Sequence, residues 1–152
     1  MFEVDASHYL PLGSRITLAS HAALRFMPVG LQTPFWALSQ LGGDLSVIGA
    51  QYSLWDFGDV RFVDRHSFAA NTELRTRILE RDLFGAHTIL EIAPFLDLGG
   101  VFHRMDKNPL NKLHPVVGLG FRGSAAPFVT GSVDIGYGRE GFAVLLGVNY
   151  PF

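Results

Sequence analysis

Cysteine is absent from the 152-residue sequence, which excludes a disulfide framework and any thiolate metal site. Charged residues are scarce, at 17%, and the formal net charge of -2 offers no electrostatic footprint for nucleic acid. No uninterrupted apolar run approaches the roughly 20 residues that a membrane-spanning helix needs. The first residues also lack the basic start and apolar core of a secretory signal peptide. A helical membrane protein is therefore excluded, and any export signal is expected to lie outside this sequence.

Glycine and phenylalanine are abundant, with 17 and 13 residues, as expected of a β-rich chain with many turns. The last eleven residues, Phe142–Phe152, show the clearest pattern. Every second side chain from Phe142 to the terminal Phe152 is apolar or aromatic. A period of two sustained over this length predicts a strand. Because chain termini are usually loose and polar, an apolar strand at this position is expected to be paired or buried to its end.

The same alternation recurs along most of the chain and predicts an all-β fold, an antiparallel up-and-down meander of about six to seven strands. The connections are short and carry Gly, Asp or Asn. No repeat or interdomain linker is present, so residues 1–152 are predicted to form a single domain. The predicted strands are a strand end at Phe2–Leu12, then Arg15–Met27, Ser67–Arg81, Thr88–Arg104, Pro115–Gly123, Phe128–Gly138 and Phe142–Phe152.

Regular alternation fails between Pro28 and Val60, where proline and glycine recur. This pattern predicts one long inserted loop over 28–60, with a helical turn near Phe35–Gln40. Loops of this length inside compact domains are usually functional. Its many apolar side chains, Trp36 and Trp55 among them, favour a packed segment over a disordered one.

Each predicted strand has one apolar face and one face that carries charged and glycine residues. In a soluble sandwich the apolar faces would form the core. In a transmembrane β-barrel they would meet lipid, while the charged side chains would line the lumen. Alternation alone does not separate the two, but the glycines on the polar face, the long strands and the terminal aromatic favour a barrel. The predicted lumenal network comprises Glu73, Arg75, Arg77, Glu91, Asp97, Arg122 and Asp134.

Several short motifs, in their order and spacing, resemble the C-terminal barrel half of the BamA/TamA superfamily. These are bacterial surface-antigen type outer-membrane proteins that insert or translocate other polypeptides. The resemblance covers about Val4 to Phe152. The motifs are Leu41-Gly-Gly-Asp44, Arg61-Phe-Val-Asp64, Asn71-Thr-Glu-Leu-Arg75, Phe95-Leu-Asp-Leu-Gly99, Gly118-Leu-Gly-Phe-Arg122 and the closing Phe152.

The resemblance implies a sixteen-stranded barrel whose long extracellular loop, here Pro28–Val60, folds back into the lumen. The loop tip of that family carries a Val-Arg-Gly-Phe type motif, whose Arg pairs with an Asp that corresponds to Asp97. Here the tip reads Val47, Ile48, Gly49 and Ala50, so that Ile48 replaces the Arg. The charge-assisted partner of Asp97 is thus missing from the loop, and Arg61 or Arg75 remains a candidate substitute.

The C-terminal strand resembles the signal by which the family's assembly machinery recognises its clients. Gly147, Tyr150 and Phe152 fit the pattern, whereas Leu145 stands where a polar residue is usual. A terminal strand of this kind can pair by its edge with another sheet. The same residues also suit a plain lipid-facing strand, and both roles can hold together.

The strand count implies an incomplete barrel, because closed membrane barrels begin at about eight strands and an open edge is not tolerated in lipid. The chain is therefore expected to be the C-terminal part of a longer protein, or to pair with a missing N-terminal barrel half or another chain.

Other chemistry has weak support. Gly118–Gly123 matches G-x-G-x-x-G, but a turn and a strand follow where a dinucleotide fold needs a helix. No G-x-S-x-G elbow occurs. No enzymatic activity, cofactor or metal site is expected. The six histidines show no short metal-ligand spacing; they are His8, His21, His66, His87, His103 and His114.

The leading hypothesis is a bacterial outer-membrane barrel of this family. It would contact outer-membrane lipid and act on client β-barrel or secreted polypeptides, by strand-edge pairing rather than bond chemistry. One alternative is a passive outer-membrane pore, or a membrane anchor of a lost upstream domain. A second alternative is a soluble antiparallel β domain that binds a small apolar ligand.

Overall fold

The computed structural model of the protein describes residues 1–27, 34, 38–41, 62–83, 85–103, 112–126, 129–138 and 141–148. No helix of membrane-spanning length and hydropathy occurs in these ranges. The described residues form nine strands: β1 (Phe2–Pro11), β2 (Ile16–Phe26), β3 (Ser39–Leu41), β4 (Phe62–Asp64), β5 (His66–Leu83), β6 (Ala86–Phe102), β7 (His114–Ala126), β8 (Val129–Gly138) and β9 (Gly141–Val148).

Seven of these strands form one sheet in the order β1-β2-β5-β6-β7-β8-β9, and every neighbouring pair is antiparallel. The predicted all-β meander is therefore confirmed. The N-terminal segment, predicted to be only the end of a strand, is a full strand of ten residues paired to β2 along its length. The sheet is not closed, because β1 and β9 each have one neighbour in it.

The long inserted loop predicted over 28–60 contains regular structure. Strand β3 pairs with β4 as a separate two-stranded sheet. Leu41 of β3 is fully buried against Ala69, with Phe62 and Val101 packed around them, so this small sheet is held by apolar contacts. The helical turn predicted near Phe35–Gln40 is wrong for its last two residues, which lie in β3. Most of the remaining loop lies outside the described residues.

Strands β5 and β6 form a hairpin that extends past its neighbour β2. Strand β2 begins at Ile16, opposite Thr76, whereas β5 continues to Leu83. The hairpin turns at Gly85, whose φ of 81° is readily adopted only by glycine. The register between β5 and β6 shifts by one residue between Arg77 and Leu79. This bulge lies where the apolar-polar alternation of β5 breaks.

The two faces of the seven-stranded sheet differ sharply in polarity and in exposure. The face called outer below is apolar and exposed: Leu96 is 52% and Leu146 is 75% exposed. The opposite, inner face carries the buried charged residues, such as Asp97 and Arg122 at 1% and 3% exposure. One outer row crosses six strands in register; it runs Ile16, Thr76, Ile92, Phe121, Val133, Leu146.

Candidate functional site

The inner face of the sheet holds a set of contacting charges that we call the Arg122 cluster, formed by Glu73, Arg75, Arg122 and Asp134. The guanidinium of Arg122 donates to Asp134 through one terminal nitrogen and to Glu73 Oε2 through the other, at 3.1 Å. Arg75 donates to the second oxygen of Glu73 and also lies 5.7 Å from the centre of the Tyr9 ring. The cluster joins β5, β7 and β8 across the intervening β6.

Small residues make room for the Arg122 cluster. Arg122 and Glu73 can meet across β6 because fully buried Ala93 lies on the strand between them. Gly120 pairs with both Ala93 and Asp134, and a Cβ at this glycine would overlap the Asp134 carboxylate and the Arg122 guanidinium. Position 120 on the polar face therefore requires glycine, because the side chains of Arg122 and Asp134 occupy the space that a Cβ would fill.

A second line of polar residues, called the His21 chain, crosses β1, β2, β5 and β6. Asn71 Nδ2 donates to Asp97 Oδ1 at 3.0 Å, which directs Asn71 Oδ1 toward His21 Nδ1 at 3.2 Å. Because an amide oxygen only accepts, the Nδ1 proton of His21 makes this bond. The other ring nitrogen, Nε2, lies 3.0 Å from Asp5 Oδ2. His21, Asn71 and Asp97 are consecutive partners in register, so strand pairing alone aligns them.

The structure brings together four residues of the predicted lumenal network as the Arg122 cluster. Arg77 and Glu91 form a looser pair, with Arg77 Nε 4.0 Å from Glu91 Oε1. Asp97 belongs to the His21 chain, where it accepts a hydrogen bond from the amide of Asn71. The side chain of the candidate substitute Arg75 contacts Glu73.

Other predicted site residues are distributed differently. The loop tip Val47, Ile48, Gly49 and Ala50, and also Arg61, Tyr150 and Phe152, lie outside the described residues. Gly147 lies in β9 opposite Ser132, and a Cβ at Gly147 would meet the Ser132 hydroxyl.

The lumenal network predicted from the sequence did not include Asp5, His21 or Asn71. The available signal was their position: His21 shares its face of β2 with Arg15 and Arg25, and Asn71 precedes Glu73 by two residues in β5. Alternation could place each of them on the polar face. Their mutual contact depends on register, which the sequence does not display.

A smaller ionic group lies near the tip of the β5–β6 hairpin, in the part that extends past the start of β2. It consists of Glu80, Asp82 and His87. His87 Nδ1 lies 2.9 Å from Asp82 Oδ1, and His87 Nε2 lies 3.3 Å from Glu80 Oε1. The hydrogen bond to Asp82, followed by that to Glu80, raises the pKa of His87 above its ordinary value of about 6.5. The hydrogen bond from Arg77 lowers the pKa of Glu80.

We expect Asp82→Asn to lower the pKa of His87 toward its ordinary value, and by more than Glu80→Gln does. Because the folded-state pKa is raised, the pairing stabilises the tip fully below the unfolded-state pKa and is lost as pH rises through the folded-state value. An NMR titration of the His87 ring in the folded chain measures both shifts. An unchanged His87 pKa in both variants would contradict the pairing.

Among the described residues, no group of three or more His, Cys, Asp or Glu side chains is placed to hold a metal ion. The Arg122 cluster and the His21 chain consist of ion pairs and hydrogen bonds that connect neighbouring and next-neighbouring strands. No protein-family model matches the chain, and no curated protein matches it either.

Proposed function

We propose that this chain forms part of the wall of an outer-membrane β-barrel, with its outer face toward lipid and its inner face toward the lumen. The inverted polarity of the sheet is the observation that carries the proposal. In water, charged side chains are exposed and are almost never fully buried unless they are paired. Here the paired charges are buried on one face, while large apolar side chains occupy the other.

The outer face carries no formal charge between the row that begins at Ile16 and the opposite end of the sheet. From Ile16–Leu24 in β2 to Phe142–Leu146 in β9, the outward positions of the described sheet hold no Asp, Glu, Lys or Arg. Arg81 also lies on the outer face, but beyond this row, near the tip of the β5–β6 hairpin. Strands β2, β7 and β8 have 11, 13 and 10 residues. A tilted transmembrane strand needs about 9–11 residues. Length, composition and exposure therefore all suit a lipid-facing wall.

The proposed activity is the insertion or translocation of other polypeptides, by pairing of strand edges. The motif order that resembles the BamA/TamA superfamily supports it, and so do the two edges of the sheet. All ten residues of β1 are exposed, and β1 pairs only with β2 in the described sheet. An extended polypeptide can add to such an edge through main-chain hydrogen bonds. The partners would be outer-membrane lipid and a client β-barrel or secreted chain.

Reconstitution tests the membrane part of the proposal. We expect the chain to fold only with detergent or lipid, and to stay in liposomes through an alkaline wash. A chain that is folded and monomeric in plain buffer would contradict the proposal and favour a soluble domain. With liposomes that hold the chain, faster folding of an added unfolded barrel protein would support an assembly role. Ion conductance without such assistance would favour a passive pore.

A further inference from the structure

A cleft lies where the β5–β6 hairpin extends past β2, at the end of the sheet opposite β3 and β4. Its volume is about 330 Å³, and Arg15, Arg77, Ile78, Leu79, Glu80 and Arg81 line it. Arg15, which immediately precedes β2, forms one side, where its carbonyl accepts a hydrogen bond from the backbone N–H of Arg77 at 2.8 Å. The bulge in β5 forms the other side.

The cleft carries an excess of positive charge. Three arginines and one carboxylate, Glu80, line it, which gives a formal charge of +2. Arg77 Nη1 donates to Glu80 Oε2 at 2.8 Å, and Glu80 also lies 3.3 Å from His87. Arg15 and Arg81 are exposed and form no ion pair with other described residues. The two positive charges that no described carboxylate neutralises would stabilise an anion bound in the cleft.

The backbone at this place adds further donor groups. The pairing of β2 with β5 ends at Ile16 and Thr76, and the last bond between them is the one donated by Arg77. Beyond it, β5 is paired to β6 alone in the described sheet, so its other edge offers main-chain N–H groups. Backbone N–H groups with arginines form the usual cradle for phosphate oxygens.

We propose that this cleft binds a phosphate group, and that the phosphate is the headgroup of a membrane phospholipid. Ile78 is 54% exposed beside the arginines, so apolar contact with an acyl chain lies next to the charge. The cleft also lies at the end of the sheet where the short connections at 12–15 and 84–85 occur. In outer-membrane barrels the short turns face the periplasm. The cleft would therefore lie close to the phospholipid headgroups of the periplasmic leaflet.

Calorimetric titration of the full chain, folded in a non-ionic detergent, tests the site with two probes. One probe is dihexanoyl-phosphatidylglycerol and the other is inorganic phosphate. We expect saturable binding of the lipid, weakened about tenfold in Arg15→Gln/Arg81→Gln because two charged donors are lost. Arg25→Gln is the matched control, since Arg25 pairs with Glu3 at the opposite end of the sheet. Circular dichroism verifies that each variant is folded.

The two probes distinguish the sources of the phosphate. Tighter binding of the lipid, reduced by Ile78→Ser, supports the phospholipid. Equal affinity for both probes, unaffected by Ile78→Ser, would overturn the lipid assignment and leave a site for free phosphate. Binding that is unchanged in Arg15→Gln/Arg81→Gln, or no saturable binding of either probe, would contradict the proposal that the cleft binds phosphate. The lipid assignment rests on the proposed membrane function, whereas the inorganic phosphate titration does not, so the two can fail separately.

Discussion

Replacing Arg122 with Met should reduce the free energy of unfolding by about 3–5 kcal/mol, the usual cost of removing one partner from a buried ion pair. Arg122 lies between Glu73 and Asp134, and all three side chains are at most 4% exposed. Met has a similar reach but no charge, so the variant leaves two buried carboxylates without the cation they share. Urea unfolding in detergent, followed by circular dichroism, measures the loss.

Two comparisons show whether the loss comes from unpaired charge. Arg25→Met removes a partly exposed cation whose Nε lies 3.9 Å from Glu3 Oε2, and should cost about 0–1 kcal/mol. The double variant Arg122→Met/Asp134→Asn removes the cation and one carboxylate and leaves Glu73 paired with Arg75, so it should recover most of the stability that Arg122→Met loses. If the double variant is no more stable than Arg122→Met, the packing of the guanidinium rather than its charge is responsible.

Leu119→Lys should destabilise the chain in lipid by about 2–4 kcal/mol, the range for a cation on the lipid face of a barrel near the middle of the bilayer. Leu119 lies midway along β7, on the outer face, with Pro94 and Ile135 as its partners in register. Its side chain is 37% exposed in the isolated sheet, so a lysine there would meet water freely if the protein were soluble. Reversible urea unfolding from liposomes measures the difference.

Leu83→Lys provides the matched control. Leu83 has similar exposure, 40%, but lies at the hairpin tip, beyond the outer row that begins at Ile16. A lysine there should cost about 0–1 kcal/mol, as near the membrane interface. Equal, small effects at the two positions would contradict a lipid-facing outer surface. A large effect of Leu119→Lys in plain buffer, with the chain folded as an oligomer, would instead assign this face to contact between proteins.

Strand positions and faces could be predicted from the sequence because side chains alternate with a period of two. The alternation of Gly118, Gly120 and Arg122 with Leu119 and Phe121 is enough to assign the two sides of β7. The short strand β3 was missed because three residues between glycines and prolines are too few to show a period. The extension of β5 to Leu83 was missed because the bulge after Arg77 interrupts the alternation.

The contacts within the candidate site could be predicted only in part. The alternation of side chains and the charges of Glu73, Arg122 and Asp134 predicted that all three lie on one face. Their direct contact depends on the register of the strands and on the small size of Ala93 and Gly120. The partner of Asp97 shows the same limit. The resemblance concerns a loop residue, at position 48, that lies outside the described residues. The hydrogen bond from Asn71, which strand pairing sets directly opposite Asp97, was not predicted. Register is fixed by cooperative pairing along whole strands, which no single motif contains.

The number of strands in the sheet restricts what can complete it. Seven strands that alternate in direction leave the two outermost, β1 and β9, pointing the same way. Hydrogen bonding of β1 directly to β9 would therefore create a single parallel seam in an otherwise antiparallel structure. An antiparallel closure needs an odd number of additional strands between these edges, whichever polypeptide provides them. The total is then even, as in the barrels of bacterial outer membranes.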